Sequence, residues 1–232
     1  MTNFFRFPHT PHLAWLGADA PRDDKVLSMA EAKALLAGEV VVEEKLDGAN
    51  LGFSLDPDAQ LRAQNRGQYL ARPHAGQFAR LPSWLARHAD ALLDVLRPEL
   101  ILFGEWCAAR HSLDYSALPD WFVLFDVYDR AASSFWCTTR RNALAQAAGL
   151  ATVPIVLQGK TTLSTLQQRV MSTPSQYRTG RPLEGVVVRR ESADWCEARA
   201  KLVRPDFTQA IDAHWRKRAI EWNRVGHAAA KA

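Results

Sequence analysis

Glu44-Lys45-Leu46-Asp47-Gly48 sets a lysine at the end of an apolar run, Val40-Val41-Val42, beside two acids and shortly before Asn50. An ammonium ion at the end of a buried strand is costly to desolvate. Burial lowers its pKa toward the neutral amine, which is a nucleophile. Taken alone, the five residues read more simply as a strand running into an Asp-Gly turn. Five further polar groups sit at or within predicted strands. They are Asn65-Arg66-Gly67, Gly104-Glu105, Phe125-Asp126, Glu184-Gly185 and Arg199-Ala200-Lys201. A sheet that gathered them would bring together cations, carboxylates and an aromatic ring. That inventory suits nucleotidyl transfer: cations neutralise phosphate charge, carboxylates hold ribose or Mg²⁺, and an aromatic face holds a base.

The elements that must position these groups follow from pattern. Ser28-Met29-Ala30-Glu31 is a capping box opening a short helix that Gly38 ends. Residues 39–46 read as a strand, and residues 50–55 and 60–65 as paired strands around Asp56-Pro57-Asp58. A helical stretch from Gln77 to Leu96 has Pro82 at its division or opening. Leu100–Phe103 and Trp121–Tyr128 are apolar enough for central strands. Thr138 or Thr139 can cap a helix to Ala148, with Gly149 beyond it. A strand near Thr152–Val156, a helix near Leu163–Met171 and strands at Leu183–Arg190 and Glu197–Val203 follow. Asp206 could cap a last helix running to the Trp222 region. Strands in pairs with helices between them predict an α+β fold in a single domain spanning residues 1–232, with residues 206–232 as a basic helical tail.

Composition bounds the rest. A hydrophobic fraction of 47% and a charged fraction of 23% are those of a soluble globular protein. No apolar run approaches a membrane span, Met1–Arg6 lacks a basic region followed by an apolar core so that secretion is not expected, and Cys107, Cys137 and Cys196 are too scattered for a metal pair. A cytoplasmic location with reduced thiols is expected. Net charge is +4, yet from Arg199 onward eight Lys or Arg face three acids, so the positive balance lies in the C-terminal segment. There His214, Trp215 and Trp222 accompany the basic residues, which suits a base-bearing polyanion or, equally, a solvated amphipathic helix. Gly159-Lys160-Thr161 imitates a Walker loop but has Pro154 where glycine is required, and His9 and His12 lack metal-ligand company.

Lys-x-Asp-Gly, followed in order by Asn-Arg-Gly, Gly-Glu, Phe-Asp, Glu-Gly and Arg-x-Lys, resembles the covalent nucleotidyltransferase superfamily of ATP-dependent ligases and capping enzymes. Within it, the chain is most similar to the RNA ligase 2 family, from about Val40 to Phe207. The resemblance implies an adenylyltransferase domain of mainly antiparallel sheets with flanking helices, ATP-grasp-like. By the same likeness, Lys45 is the nucleophile that takes AMP from ATP, and Lys201, helped by Arg199, contacts the α-phosphate. Several relatives carry lysine where this chain has Arg199. Glu184 is implied as the metal-binding carboxylate for Mg²⁺ (or Mn²⁺) and Glu105 as the ribose ligand. Arg66 is implied to face sugar and phosphates, and Phe125 to stack on adenine with Asp126 beside it. Glu44 is implied at the adenine edge, Asp47 is the motif acid, and Asn50 stands at a functional asparagine.

The implied activity is ATP-dependent joining of 3′-hydroxyl and 5′-phosphate RNA ends in RNA repair, at nicks in duplex RNA, by a monomer. A protein partner could prepare or present the ends. A minimal ATP-dependent DNA ligase or a GTP-using capping-type enzyme is the alternative. About thirty residues follow Lys201, fewer than the C-terminal domains of relatives, so the basic tail is expected to grip the nucleic acid.

Overall fold

The structure is a computed structural model, and it describes residues 4–18, 25–210 and 219–226. Its ten strands form one mainly antiparallel sheet in the order β3-β2-β4-β5-β6-β10-β9-β1-β8, with β7 joined to β5 as the parallel exception. In chain order the strands are β1 Val40–Lys45, β2 Ala49–Leu55, β3 Leu61–Gln64, β4 Leu100–Trp106, β5 Phe122–Asp129, β6 Ser134–Trp136, β7 Ala151–Thr152, β8 Ile155–Gly159, β9 Gly185–Glu191 and β10 Trp195–Val203. The helices are α1 Met29–Leu35, α2 Leu81–Val95, α3 Thr138–Ala147, α4 Leu163–Ser172 and α5 Pro205–Ala210. The α+β expectation holds. No helix among the described residues is long and apolar enough to cross a membrane.

Two apolar cores divide the sheet. Leu51, Phe53, Leu102, Phe122 and Leu124 of β2, β4 and β5 pack with Leu81, Trp84 and Leu92 of α2 and Ala145 of α3. Val40 and Val42 of β1, Val186 and Val188 of β9, and Ala200 and Leu202 of β10 pack with α1 and with Leu166 and Val170 of α4. Burying each of these larger side chains contributes about 1.5–3 kcal/mol, the main favourable term of the fold. The chain crosses from one half to the other at Leu46-Asp47-Gly48, between β1 and β2. The lysine motif is therefore one crossing between the two halves; Val153-Pro154, between β7 and β8, is another.

Local signals explain most boundaries. Both bonds of the capping box are present: Ser28 Oγ accepts from the Glu31 N–H at 3.2 Å, and Glu31 Oε2 accepts from the Ser28 N–H at 2.8 Å. Pro82 sits in the first turn of α2, where its missing N–H costs nothing. The expected strand near Thr152–Val156 is two strands, since Val153 and Pro154 separate β7 from β8.

Two helix expectations need correction. The N-cap of α3 is Cys137, with no side-chain cap bond of its own. Thr138 has helical position, and its N–H and hydroxyl both donate to the Glu191 carboxylate of β9, at 3.0 and 2.8 Å. A carboxylate at a helix N-terminus satisfies an orphan donor and faces the positive end of the helix dipole. At the C-terminus, residues 219–226 are extended rather than helical, because their backbone groups pair with residues 108–118. Of the implied nucleic-acid grip, His214 and Trp215 lie outside the described residues, and Trp222 packs onto the first core.

Residues 11–13 run beside β10. The Lys201 N–H donates to Pro11 O at 2.8 Å and the Leu13 N–H to Lys201 O at 2.7 Å. This segment brings Phe7 and Thr10 to the wall of a cleft between the halves.

Candidate active site

The cleft has a volume of about 570 Å³, and its walls come from both halves of the sheet. Strand pairing sets its residues in register: Lys45 opposite Gly185, Asn50 opposite Glu105, Arg199 opposite Arg189 and Lys201 opposite Val187. Gly185 is required by close approach, since a Cβ there would collide with the carbonyl oxygen of Leu202. Glu44, Lys45, Asn50, Arg66, Glu105, Phe125, Asp126, Arg199 and Lys201 all line the cleft. Glu184 meets Lys45 from just before β9, its Oε1 lying 2.6 Å from Lys45 Nζ. Asp47 stands in the turn behind the lysine and holds the loop that follows β4.

The Lys45 end is crowded with acid. Glu184 is buried, while the Lys45 side chain is 26% exposed, so the amine is the one member of the pair open to the cleft. Glu105 Oε1 accepts from the Gly48 N–H at 2.8 Å, which ties the ribose candidate to the lysine motif. Burial pushes the Glu184 carboxyl up to about 8, against the pull of Lys45, and pushes Glu105 up to about 7. Burial opposes the charge on Lys45 too. Glu184, Glu105 and Asp47 outweigh it and hold the ammonium above its ordinary pKa. The expectation that burial frees the amine is therefore corrected in direction: the neighbouring acids, Glu184 first, outweigh burial and raise the Lys45 pKa.

The opposite end is a closed lattice of ion pairs. Arg189 Nη1 meets Asp126 Oδ1 at 2.6 Å, and Arg199 Nη1 meets Asp126 Oδ2 at 2.5 Å. Arg189 Nε also meets Glu191 at 2.7 Å, and Arg141 Nη2 meets Glu43 at 2.6 Å. Arg141 Nη1 donates to the Phe125 carbonyl at 2.7 Å, which fixes the backbone beneath the Phe125 ring. That ring stands edge-on to Phe7, centroids 5.3 Å apart. The Arg199 guanidinium lies over the rings of Phe135 and Phe7, at 3.9 and 4.7 Å. Arg199 thus borders the cleft but spends its charge on Asp126 and aromatic faces.

Other implied residues divide likewise. Arg66 is presented by a turn in which Asn65 Oδ1 accepts from the N–H groups of Gly67 and Gln68, at 2.8 and 2.9 Å. Its Nε, Asn50 Oδ1 and Glu184 Oε2 are buried, with no hydrogen-bond partner among the described residues. Glu43 Oε1 on the cleft wall likewise lacks a hydrogen bond, although it lies 2.6 Å from Arg141 Nη2. Buried polar atoms are ordinarily paired, so such orphans around one cleft point to a polar ligand. Glu44 is instead engaged by the loop before β9: its Oε2 accepts from the Gln176 N–H at 3.1 Å, and burial raises its pKa. Sequence reasoning passed over Glu43, Arg141, Arg189, Tyr115 and Phe7. Arginines inside strands and helices look like solvated surface, and only the apolar run before Arg189 hinted at its burial.

The profile of the RNA ligase family matches residues 38–203, most of the chain. The chain belongs to the RNA ligase family. Among curated proteins none matches it. Solved structures show the same fold. A Naegleria gruberi RNA ligase variant with ATP and Mn is similar at a TM-score of 0.66 and 16% identity, over 90% of this chain and 59% of that one. The Naegleria gruberi RNA ligase with PPi gives 0.64 and 18%, over 90% and 62%. A further variant with AMP and Mn gives 0.60 and 17%, over 89% and 64%. The chain therefore spans about three fifths of the length of these relatives.

Proposed function

We propose that the chain is an ATP-dependent RNA ligase that works through a covalent lysyl-AMP. The observation that carries this reading is the 2.6 Å contact between Lys45 and the buried Glu184, set in a cleft that also holds Glu105, Arg66, Phe125 and Lys201. Membership of the RNA ligase family, and the nucleotide and Mn in the related Naegleria gruberi structures, support it.

In the first step, Lys45 Nζ attacks the α-phosphorus of ATP. The N–P bond forms as the bond to the bridging oxygen breaks, and pyrophosphate leaves in line. Glu184 Oε1 is in position to accept the proton the ammonium must lose. Lys201, with Arg66 across the cleft, faces the charge that develops on the phosphoryl oxygens. Phe125 offers its ring to adenine, and Glu105 and Asn50 offer acceptors to the ribose. AMP then passes to an RNA 5′-phosphate, and a 3′-hydroxyl displaces it to seal the strand. Arg199, held by Asp126, supports the wall in this scheme rather than sharing the α-phosphate with Lys201.

The donor set fits Mg²⁺ or Mn²⁺. Glu184 Oε2 is a buried hard oxygen without a partner among the described residues. Among these residues no group of three or more His, Cys, Asp or Glu side chains could hold an ion, which suits a cation completed by phosphate and water. When bound, such an ion supplies charge neutralisation at the phosphates and opposes the hold of the carboxylates on the Lys45 proton.

The test is incubation with α-labelled ATP and Mg²⁺, on wild type and Lys45→Ala. Label on wild type and none on the variant is expected. Label that persists on Lys45→Ala, or never appears on wild type, overturns the mechanism. GTP in place of ATP, and DNA-ended nicks beside RNA-ended ones, distinguish a capping-type enzyme or a DNA ligase.

A further inference from the structure

Residues 219–226 follow the part of the chain that the family profile matches, yet they are tied by backbone hydrogen bonds to residues 108–118, with Asn223 buried among them. Their partner is the stretch from Cys107 to Leu118, which joins β4 to the region before β5 and has no helix or strand of its own. Such a loop takes its shape from bonds made to other segments. The Arg110 N–H donates to Glu221 O at 2.8 Å and the Asn223 N–H to Ala108 O at 2.9 Å. The Arg224 N–H donates to Tyr115 O at 3.0 Å and the Gly226 N–H to Leu118 O at 2.9 Å.

Asn223 is the centre of this strap. Its side chain is buried and used at both ends: Nδ2 donates to Cys107 O at 2.8 Å, and Oδ1 accepts from the Tyr115 N–H at 2.9 Å. Tyr115, also buried, reaches on to the lysine motif, where its Oη accepts from the Asp47 N–H at 2.7 Å. Asp47 Oδ2 in turn accepts from the N–H groups of Ser112 and Leu113, at 2.7 and 2.8 Å. Leu46 is buried against Tyr115, Leu118 and Cys107, so packing follows the same path as the hydrogen bonds. A continuous chain of contacts therefore runs from Asn223, through one loop, to the turn two residues beyond Lys45.

We propose that Asn223 is a positioning residue for the Lys45 nucleophile: it fixes the 107–118 loop, and the loop fixes the Asp47 turn that aims the amine. This rests on the ligase reading above. Positioning within about 1 Å can decide two orders of magnitude in an in-line attack, so the effect belongs to the step that uses Lys45. Sealing of an RNA already carrying a 5′-adenylyl group bypasses that step and gives the readout a general loss of folding would not spare.

The variants are Asn223→Ala, which removes both ends of the bridge, and Tyr115→Phe, which keeps the buried ring and removes only the oxygen that meets Asp47. Expected is a roughly tenfold or greater loss in the single-turnover rate of labelling by ATP, with the KM for ATP changed less than about twofold. Sealing of pre-adenylylated RNA should fall by no more than about threefold for the same variants. Equal losses in both reactions, or wild-type labelling by Tyr115→Phe, would overturn the proposal even if Asn223→Ala proved unstable. Normal labelling of both variants beside a labelled wild type sinks this inference alone. An unlabelled wild type sinks the ligase reading and this inference with it.

Discussion

The two ends of the cleft bury charge in opposite ways. At one end Arg141, Arg189 and Arg199 alternate with Glu43, Asp126 and Glu191, and every guanidinium meets a carboxylate. At the other, Glu184, Glu105 and Asp47 surround the Lys45 amine, and Arg66 acts on Glu105 as a weaker second cation. Two of those acids are displaced toward neutrality, and Glu184 retains an unpartnered oxygen. Matched buried charges cost little beyond their desolvation and hold a shape. Unmatched ones store a demand for positive charge, which under the proposed function a metal-bound nucleotide would meet. Burial of ionisable groups alone thus does not mark the chemistry; the imbalance among them does.

The largest expected effect breaks the balanced end. Arg189→Met leaves Asp126 and Glu43 buried with a partner lost, and should cost about 3–5 kcal/mol in urea unfolding. A loss below about 1 kcal/mol would mean that the lattice does not hold the floor. At the unbalanced end, Glu184→Ala and Lys201→Ala should each lower the rate of labelling by more than roughly tenfold while moving stability far less than Arg189→Met does. Near-normal labelling of either would remove that residue from the mechanism.

Glu105→Gln sharpens the contrast through pH. The amine of Lys45 is held above its ordinary pKa by Glu184 first and Glu105 next, against burial, and only the neutral amine attacks. Removing one carboxylate lowers that pKa, so the neutral fraction at a given pH rises. The alkaline rise of the labelling rate should therefore move to lower pH, by up to about one unit. No movement, or movement to higher pH, would show that Glu105 does not act on the amine. The smallest effect is expected from Phe125→Leu, a few-fold increase in the KM for ATP from a stacking contribution of about 0.5–1.5 kcal/mol. An unchanged KM would take the base away from that ring.

Much of this arrangement was legible because it depends on local chemistry. Ser28 and Glu31 announce a capping box, Val40–Val42 a buried strand, and the ordered motifs from Lys45 to Lys201 a single cleft. What escaped depends on partners far along the chain. β6 has three residues, too few for a pattern, and exists because β5 and β10 pair with it. The cap of α3 was assigned to a threonine because nothing in its neighbourhood shows that Glu191 waits at the helix end. The resemblance implied Arg199 as a helper of Lys201 at the α-phosphate, and its sequence neighbourhood gives no sign of the contact with Asp126, 73 positions away. Asn223 and Tyr115 carry no motif, and their roles emerge only from the shared loop.

The pairing of residues 11–13 with β10 has a consequence for solubility. Among the described residues β10 meets β6 at Trp195 and Cys196 alone, and beyond that point its outer side faces no strand of the sheet. Pro11 and Leu13 occupy the hydrogen-bonding groups of Lys201 there. A bare run of such groups is a template onto which a strand of a second molecule can dock. The N-terminal segment covers these groups, and Leu13→Pro, which removes the N–H that meets Lys201 O, should favour larger species detectable by light scattering.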